Sequence, residues 1–221
     1  MRIPHVFLLT LFAPLSAWAT SILDASGGSS EATAESVAQY RAAKGVVLLD
    51  VNWGRRWRCG SFENAELRRL SFDRLPLTKS SDDAAADLTL EEAPSLFTRE
   101  TFINYALIVE PGDYVLTGFD IKVARSVSDI AHWVAKRSEL WKDGKALGGT
   151  FKVAAGETVY IGNFFLDCYK QPQPWRYYTE GAANFKVHLT QYKEKYPFLS
   201  TDNVAYRLFD TTSLGRPYEL K

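Results

Sequence analysis

From Gly45 the chain runs Val46-Val47-Leu48-Leu49-Asp50-Val51-Asn52-Trp53, a β-branched and aliphatic stretch that predicts a buried strand. A second strand is expected at Leu67–Leu75, and the small and acidic residues of 79–86 read as a solvated loop. Val115, Thr117, Phe119, Ile121 and Val123 fall at every second position, the pattern of a strand with one face turned inward. Over Asp129–Trp141 the period is ambiguous. Ile130, Trp133, Val134, Arg137 and Trp141 fit a helical stripe, but the flanking strands and the Asp143-Gly144 turn favour a twisted strand leading into a hairpin, which is the reading adopted. Asn184–Lys195 is helical, because Phe185, Leu189, Tyr192 and Tyr196 recur at helical spacing and Pro197 stops the run. A last strand is expected at Val204–Phe209. These elements predict a mainly β chain, an antiparallel β-sandwich with one amphipathic helix near the C-terminus.

One phrase occurs twice. Val109-Glu110-Pro111-Gly112-Asp113-Tyr114-Val115-Leu116-Thr117-Gly118 is echoed by Val153-Ala154-Ala155-Gly156-Glu157-Thr158-Val159-Tyr160-Ile161-Gly162, each copy placing a turn between two apolar strands. Two hairpins are predicted. Pro111 fixes φ near −65°, which excludes the primed two-residue turns there, and Gly112 is the residue able to supply a positive φ. Two copies are too few for a solenoid.

The first residues change the picture of where the protein works. Arg2 and His5 precede the apolar run Val6–Ala13, and Ala17-Trp18-Ala19 places small residues where a signal peptidase reads. Residues 1–19 are therefore expected to be a signal peptide, too short to anchor the chain in a bilayer. Residues 20–44, rich in Ser, Ala, Gly and Glu, read as a flexible leader with a short helix near Ala34–Ala43, and 45–221 as a single β-sandwich domain. The expected location is periplasmic or secreted, with no transmembrane anchor.

The 26 basic and 26 acidic residues balance, and losing Arg2 with the leader tips the mature chain slightly acidic. Nucleic acid is excluded as a partner, because that affinity rests on neutralising phosphates. Two cysteines, Cys59 and Cys168, in a chain bound for an oxidising compartment predict one disulfide; the competing reading is a nucleophilic thiol, which needs a nearby histidine.

In the two turn phrases, Pro111-Gly112-Asp113-Tyr114 and Ala155–Gly162, the chain resembles a group of uncharacterised exported bacterial envelope proteins of the domain-of-unknown-function type with P-G-x-Y and A-G-E-x-x-Y-I-G hairpins. Similar phrases occur in β-sandwich modules of the carboxypeptidase-regulatory and transthyretin-like types. The resemblance implies an exported β-sandwich and spans mainly residues 101–168. It carries over no catalytic residue, since the matching positions are turn glycines, core aliphatics and hairpin aromatics.

No G-x-S-x-G, H-E-x-x-H, S-x-x-K, P-loop or dinucleotide glycine motif occurs. No cofactor is expected, and no metal, since His and Cys are scarce and Asp82, Asp83 and Asp87 lack the ligand spacing of a calcium loop. Two stretches are candidate binding surfaces. Trp53, Arg55, Arg56, Trp57 and Arg58 interleave guanidinium groups with indoles, suited to the anion of an envelope glycan or lipid head group; against this, Trp53 shares a strand face with Val47, Leu49 and Val51, and the favoured reading puts Trp53, and with it Trp57, in the core and leaves the arginines as a wet face. Trp175, Tyr177 and Tyr178 follow a Pro-rich stretch and form either a platform for a sugar or core filling. The expected function is a non-enzymatic envelope interaction module whose partner is a glycan, a lipid head group or another envelope protein. The alternatives are a periplasmic hydrolase with His132 as base and a carboxylate orienting it, and a glycan-binding protein using Trp175 and its neighbours.

Overall fold

All eight residues of β2 (Gly45–Asn52) are buried in the computed structural model, which describes residues 30–92, 102–177 and 181–214. The reason is position. β2 lies at the centre of sheet A, ordered β1 (Ser30–Glu31), β6 (Phe102–Val109), β2, β12 (Thr158–Asp167) and β13 (Gln173–Tyr177), with β14 (Val204–Tyr206) also on β12. Sheet B is ordered β11 (Thr150–Val153), β7 (Gly112–Ser126), β4 (Phe62–Arg74) and β3 (Arg56–Cys59), with β5 (Leu88–Glu91) beside β4 and β8 (Asp129–Ala135) beside β7. Val47, Leu49 and Val51 of β2 meet Leu67, Leu70 and Phe72 of β4 and Leu116 and Ile121 of β7 in the core between the sheets.

The odd residues of β2 thus fill the sandwich, and the even ones fill a second core. Val46 and Leu48 pack with Val37 of α1 (Ala34–Tyr40), with Phe185 and Tyr192 of α3 (Gly181–Lys195) and with Tyr196 just beyond it. A strand covered on both faces reads as an unbroken apolar run. The pairing of β2 with β12 is parallel, as is that of β12 with β14, so sheet A is mixed and the expected all-antiparallel sandwich is corrected in this respect.

The two echoed phrases do not make hairpins. β6 lies in sheet A and β7 in sheet B, while β11 lies in sheet B and β12 in sheet A, so each turn carries the chain across the sandwich. The physical cause is edge occupancy: at Leu107 and Ile108, β6 is already paired with β2 and with β1, and no edge remains for the returning strand. The two crossings sit side by side, with Val153 opposite Gly112 and the Val46 N–H donating to the Glu157 carbonyl at 2.8 Å.

The expected strand at Leu67–Leu75 is the longer β4, and the ambiguous 129–141 stretch resolves as β8, the one-turn α2 (Arg137–Leu140) and β9 (Trp141–Lys142). Asp143 and Gly144, both at positive φ, turn β9 into β10 (Lys145–Ala146). From residue 30 on, the expected flexible leader is instead part of the fold, because β1 pairs with β6 and Ala32 and Val37 are buried against sheet A. Residues 1–19, where a signal peptide is expected, and residues 20–29 lie outside the described residues.

Candidate functional site

Sheet A is covered by α1 and α3 on its outer face, whereas among the described residues the outer face of sheet B carries α2 and the loop between β4 and β5. The hub of this face is Asp73, buried although it points away from the sandwich core. It accepts hydrogen bonds from the Thr117 hydroxyl at 2.6 Å, Arg137 Nε at 3.0 Å and Lys79 Nζ at 3.1 Å. Burial works against its charge, but these three donors outweigh burial and hold the carboxyl below its usual range. Arg137 also donates to the carbonyls of Ser81 and Ala84, and Asp82 accepts from the Ser138 N–H and hydroxyl, both at 2.8 Å. These bonds tie the acidic loop to α2 across the sheet.

Between the tied walls lies a groove of about 410 Å³. Arg69, Ser71, Thr89, Thr117 and Gly118 line its floor; the 82–86 loop forms one wall and the 134–137 segment the other. The volume falls within the usual range for small-ligand sites. Most charges here are already committed. Arg69 faces Glu91 across the sheet, its Nη1 4.0 Å from a Glu91 oxygen, while its buried Nε has no hydrogen-bond acceptor among the described residues.

A larger hollow of about 980 Å³ lies near β11 and β14. Its Arg207 is bound bidentately by Glu157, at 2.8 and 3.1 Å, and also donates to the Lys152 carbonyl. That hydrogen bonding holds the Glu157 carboxyl below its usual range despite partial burial.

The residues expected to bind a ligand are dispersed. Trp53 is 3% exposed in the core and donates its indole N–H to the Tyr105 hydroxyl at 2.8 Å, so it is not part of a binding surface. Arg55 is neutralised by the buried Glu66, which also lies 3.5 Å from Arg68 and 3.8 Å from Lys122. Arg68 is bonded in turn to Glu92, whose carboxyl burial pushes up. The charges of Arg55 and Arg68 are thereby cancelled within the protein. Trp57 is 58% exposed with Arg55 over its ring, Arg56 is half-buried and Arg58 exposed. Trp175 is half-buried in β13 opposite Phe165; Tyr177 shares that strand, and Tyr178 lies outside the described residues.

His132 stands half-exposed on β8, with Nδ1 2.9 and 3.1 Å from the two oxygens of Asp120. The orienting carboxylate of the hydrolase alternative is therefore in place. Among the described residues no serine, threonine or cysteine side chain bonds to His132, and both cysteines are consumed in the Cys59–Cys168 disulfide, which removes the thiol nucleophile. Asp82, Asp83 and Asp87 diverge: Asp82 binds Ser138, Asp87 binds Lys79, and Asp83 is exposed. No three of His, Cys, Asp and Glu converge as a metal site among the described residues.

A second polar cluster was not anticipated. Asp50, fully buried on the helix-covered face of β2, accepts from the Tyr192 hydroxyl at 2.9 Å and from Asn104 at 2.5 Å, and His188 Nε2 lies 2.9 Å away. The helical spacing of His188 and Tyr192 was legible; that Asp50 faces them required knowing that sheet A is covered on both sides. Neither hollow touches this cluster, which pins α3 to the sheet.

Comparison with known protein families, with curated proteins and with solved structures gave no match. The class is thus set by the fold: a mainly β, sandwich-like protein, with no helix among the described residues long and apolar enough to cross a membrane.

Proposed function

We propose that this chain is a non-catalytic interaction module of the bacterial cell envelope, exported to the periplasm or beyond by residues 1–19, that engages its partner through the groove on the outer face of sheet B. The observation that carries this reading is the groove itself, a hollow of about 410 Å³ whose walls are tied in advance by Arg137 and Asp82. A disulfide between sheets agrees with an oxidising compartment. The test is retention of the purified protein on isolated bacterial envelopes, comparing the wild type with Ala85→Trp. Ala85 is an exposed groove residue, so an indole there blocks the groove without entering the core. Retention should drop at least tenfold. Retention that is unaffected by Ala85→Trp overturns the reading.

The Asp120–His132 pair favours a second reading, hydrolysis of a cell-wall or lipid substrate with His132 as general base. A broad hydrolase screen of the wild-type protein separates the two. Activity that disappears in His132→Ala would replace the binding module with an enzyme.

A further inference from the structure

We infer that β8 is a pairing edge for a second copy of this chain: two sandwiches join antiparallel across a two-fold axis at His132, and sheet B runs on from one copy into the other. This goes beyond the groove reading and does not depend on it.

The first observation is that β8 lacks what protects the other sheet edges. An edge strand presents unpaired N–H and C=O groups, which proteins blunt with short strands, proline, lysine, bulges or a covering segment. Among the described residues, β1, β3, β5, β11 and β14 have at most four residues each. β13 carries Pro174, and its Arg176 N–H donates to the Leu214 carbonyl. Where β6 runs past β1, the Asn104 carbonyl and the Ala106 N–H are both bonded to the Tyr196 hydroxyl. β8 has seven residues, none of them proline, glycine or lysine, and among the described residues it pairs with β7 alone. Its Ile130 is 51% exposed, Trp133 37% and Val134 41%, so nothing covers the strand.

The second observation names the occupant. The register with β7 puts Ile130, His132 and Val134 on the outer face, and sets Ala131 and Trp133 opposite the core residues Val123 and Ile121. Antiparallel pairing of two β8 strands about His132 keeps both faces and engages all seven residues of each strand, whereas sliding the axis along the strand shortens the ladder. In that register Ile130 of one copy meets Val134 of the other, and Trp133 meets Ala131. The alanine leaves room for the indole, which already stands edge-on to Phe62 at 5.1 Å. Asp129, exposed and 3.7 Å from Arg125, lies opposite Ala135, so the exposed Lys136 of the other copy comes beside it. Parallel pairing would set Asp129 against Asp129 instead. Read backwards, the strand thus complements itself: apolar meets apolar, large meets small and acid meets base, which is what an isologous interface requires. The two His132 rings flank the axis, each drawn back onto its own β7 by Asp120 at 2.9 Å.

The experiment is sedimentation equilibrium of the full mature chain from micromolar to near-millimolar concentration, with cysteine cross-linking to read the register. The wild type should follow a monomer–dimer equilibrium. Ile130→Lys sets an ammonium opposite Val134 of the other copy and should weaken association at least tenfold; because Ile130 is exposed, the thermal midpoint should stay within a few degrees of wild type. Opposed Cα atoms in an antiparallel ladder stand about 4.5–5.5 Å apart, inside the span of about 4.4–6.8 Å that a disulfide bridges. Under mild oxidation His132→Cys should therefore cross-link to itself. Ile130→Cys and Val134→Cys should each run as monomers alone on denaturing gels and cross-link when mixed. If Ile130→Lys fails to fold, the cross-linking pattern decides the matter. A chain monomeric throughout, association indifferent to Ile130→Lys, or Ile130→Cys linking to itself as readily as to Val134→Cys overturns the assignment. So does a monomer whose β8 amides resist hydrogen exchange at every concentration, since another part of the same chain would then cover the edge.

Discussion

At the scale of single residues, Asp73 shows how a charge is kept on the outer side of a sheet yet out of water. Burial disfavours its ionised form, and the donors from Thr117, Arg137 and Lys79 more than compensate, so the folded carboxyl titrates below its ordinary value of 3.8. A carboxyl whose folded pKa is depressed stabilises the fold fully above the unfolded pKa, and that contribution is lost as pH falls through the folded value. The stabilisation is thus present at neutral pH, begins to fall near pH 3.8 and is gone once pH lies below the folded value. Urea midpoints measured from pH 7 to pH 2 should show this loss in the wild type, and Asp73→Asn should be flatter across the acid range. At neutral pH Asp73→Asn should lose about 3–5 kcal/mol, because it leaves the buried Arg137 without its counter-charge. A variant as stable as wild type at pH 7 would show that Asp73 is not the hub of this face.

At the scale of elements, the sequence was most legible where one period dominates. The helical stripe of Phe185, Leu189, Tyr192 and Tyr196 and the Asp143-Gly144 turn appear as read, whereas the expected β7 alternation holds only from Phe119 to Val123: a bulge at Thr117 puts Tyr114 and Leu116 in the core and turns Thr117 outward to Asp73. The echoed turns are where local reading stopped. Val109–Gly112 and Val153–Glu157 specify a reversal, but whether the chain returns to the same sheet or crosses to the other depends on which edges are free. That is tertiary information. Gly45 records it in a single residue: a Cβ there would strike the Val153 side chain and lie 2.8 Å from the Ala154 carbonyl oxygen. The backbone conformation of Gly45 is not the constraint; space between the two crossings is. Gly45→Ala should therefore destabilise the protein by about 1–3 kcal/mol through overpacking, only partly offset by ~0.4–1 kcal/mol from a stiffer unfolded chain. Chemical denaturation measures the difference. A neutral or stabilising result would show that the crossings can move apart.

At the scale of the whole molecule, the candidate site was less legible than the fold because its parts are scattered along the chain. Arg69, Ala85 and Lys136 carry no shared motif, and the segment that did look like a site, Trp53–Arg58, spends Trp53 on the core and Arg55 on Glu66. What sequence did specify at this scale was the long-range covalent link. Cys59 ends β3 in sheet B, and Cys168 follows β12 in sheet A, so the bond joins the two layers. Their Cα atoms are 4.4 Å apart across a sequence separation of 109 residues, and the Gly60 N–H donates to the Cys168 carbonyl at the same junction. Without the link, the unfolded chain regains the freedom of that long loop, which the chain-entropy model values at about 4–5 kcal/mol. Urea unfolding with and without reductant should show a loss of about 2–5 kcal/mol, and Cys59→Ala/Cys168→Ala should reproduce the reduced protein's midpoint without reductant. Thiol titration of unfolded, unreduced protein taken from the periplasm should find no free sulfhydryl. Two titratable thiols there, or a midpoint indifferent to reductant, would mean that the layers are held by packing alone.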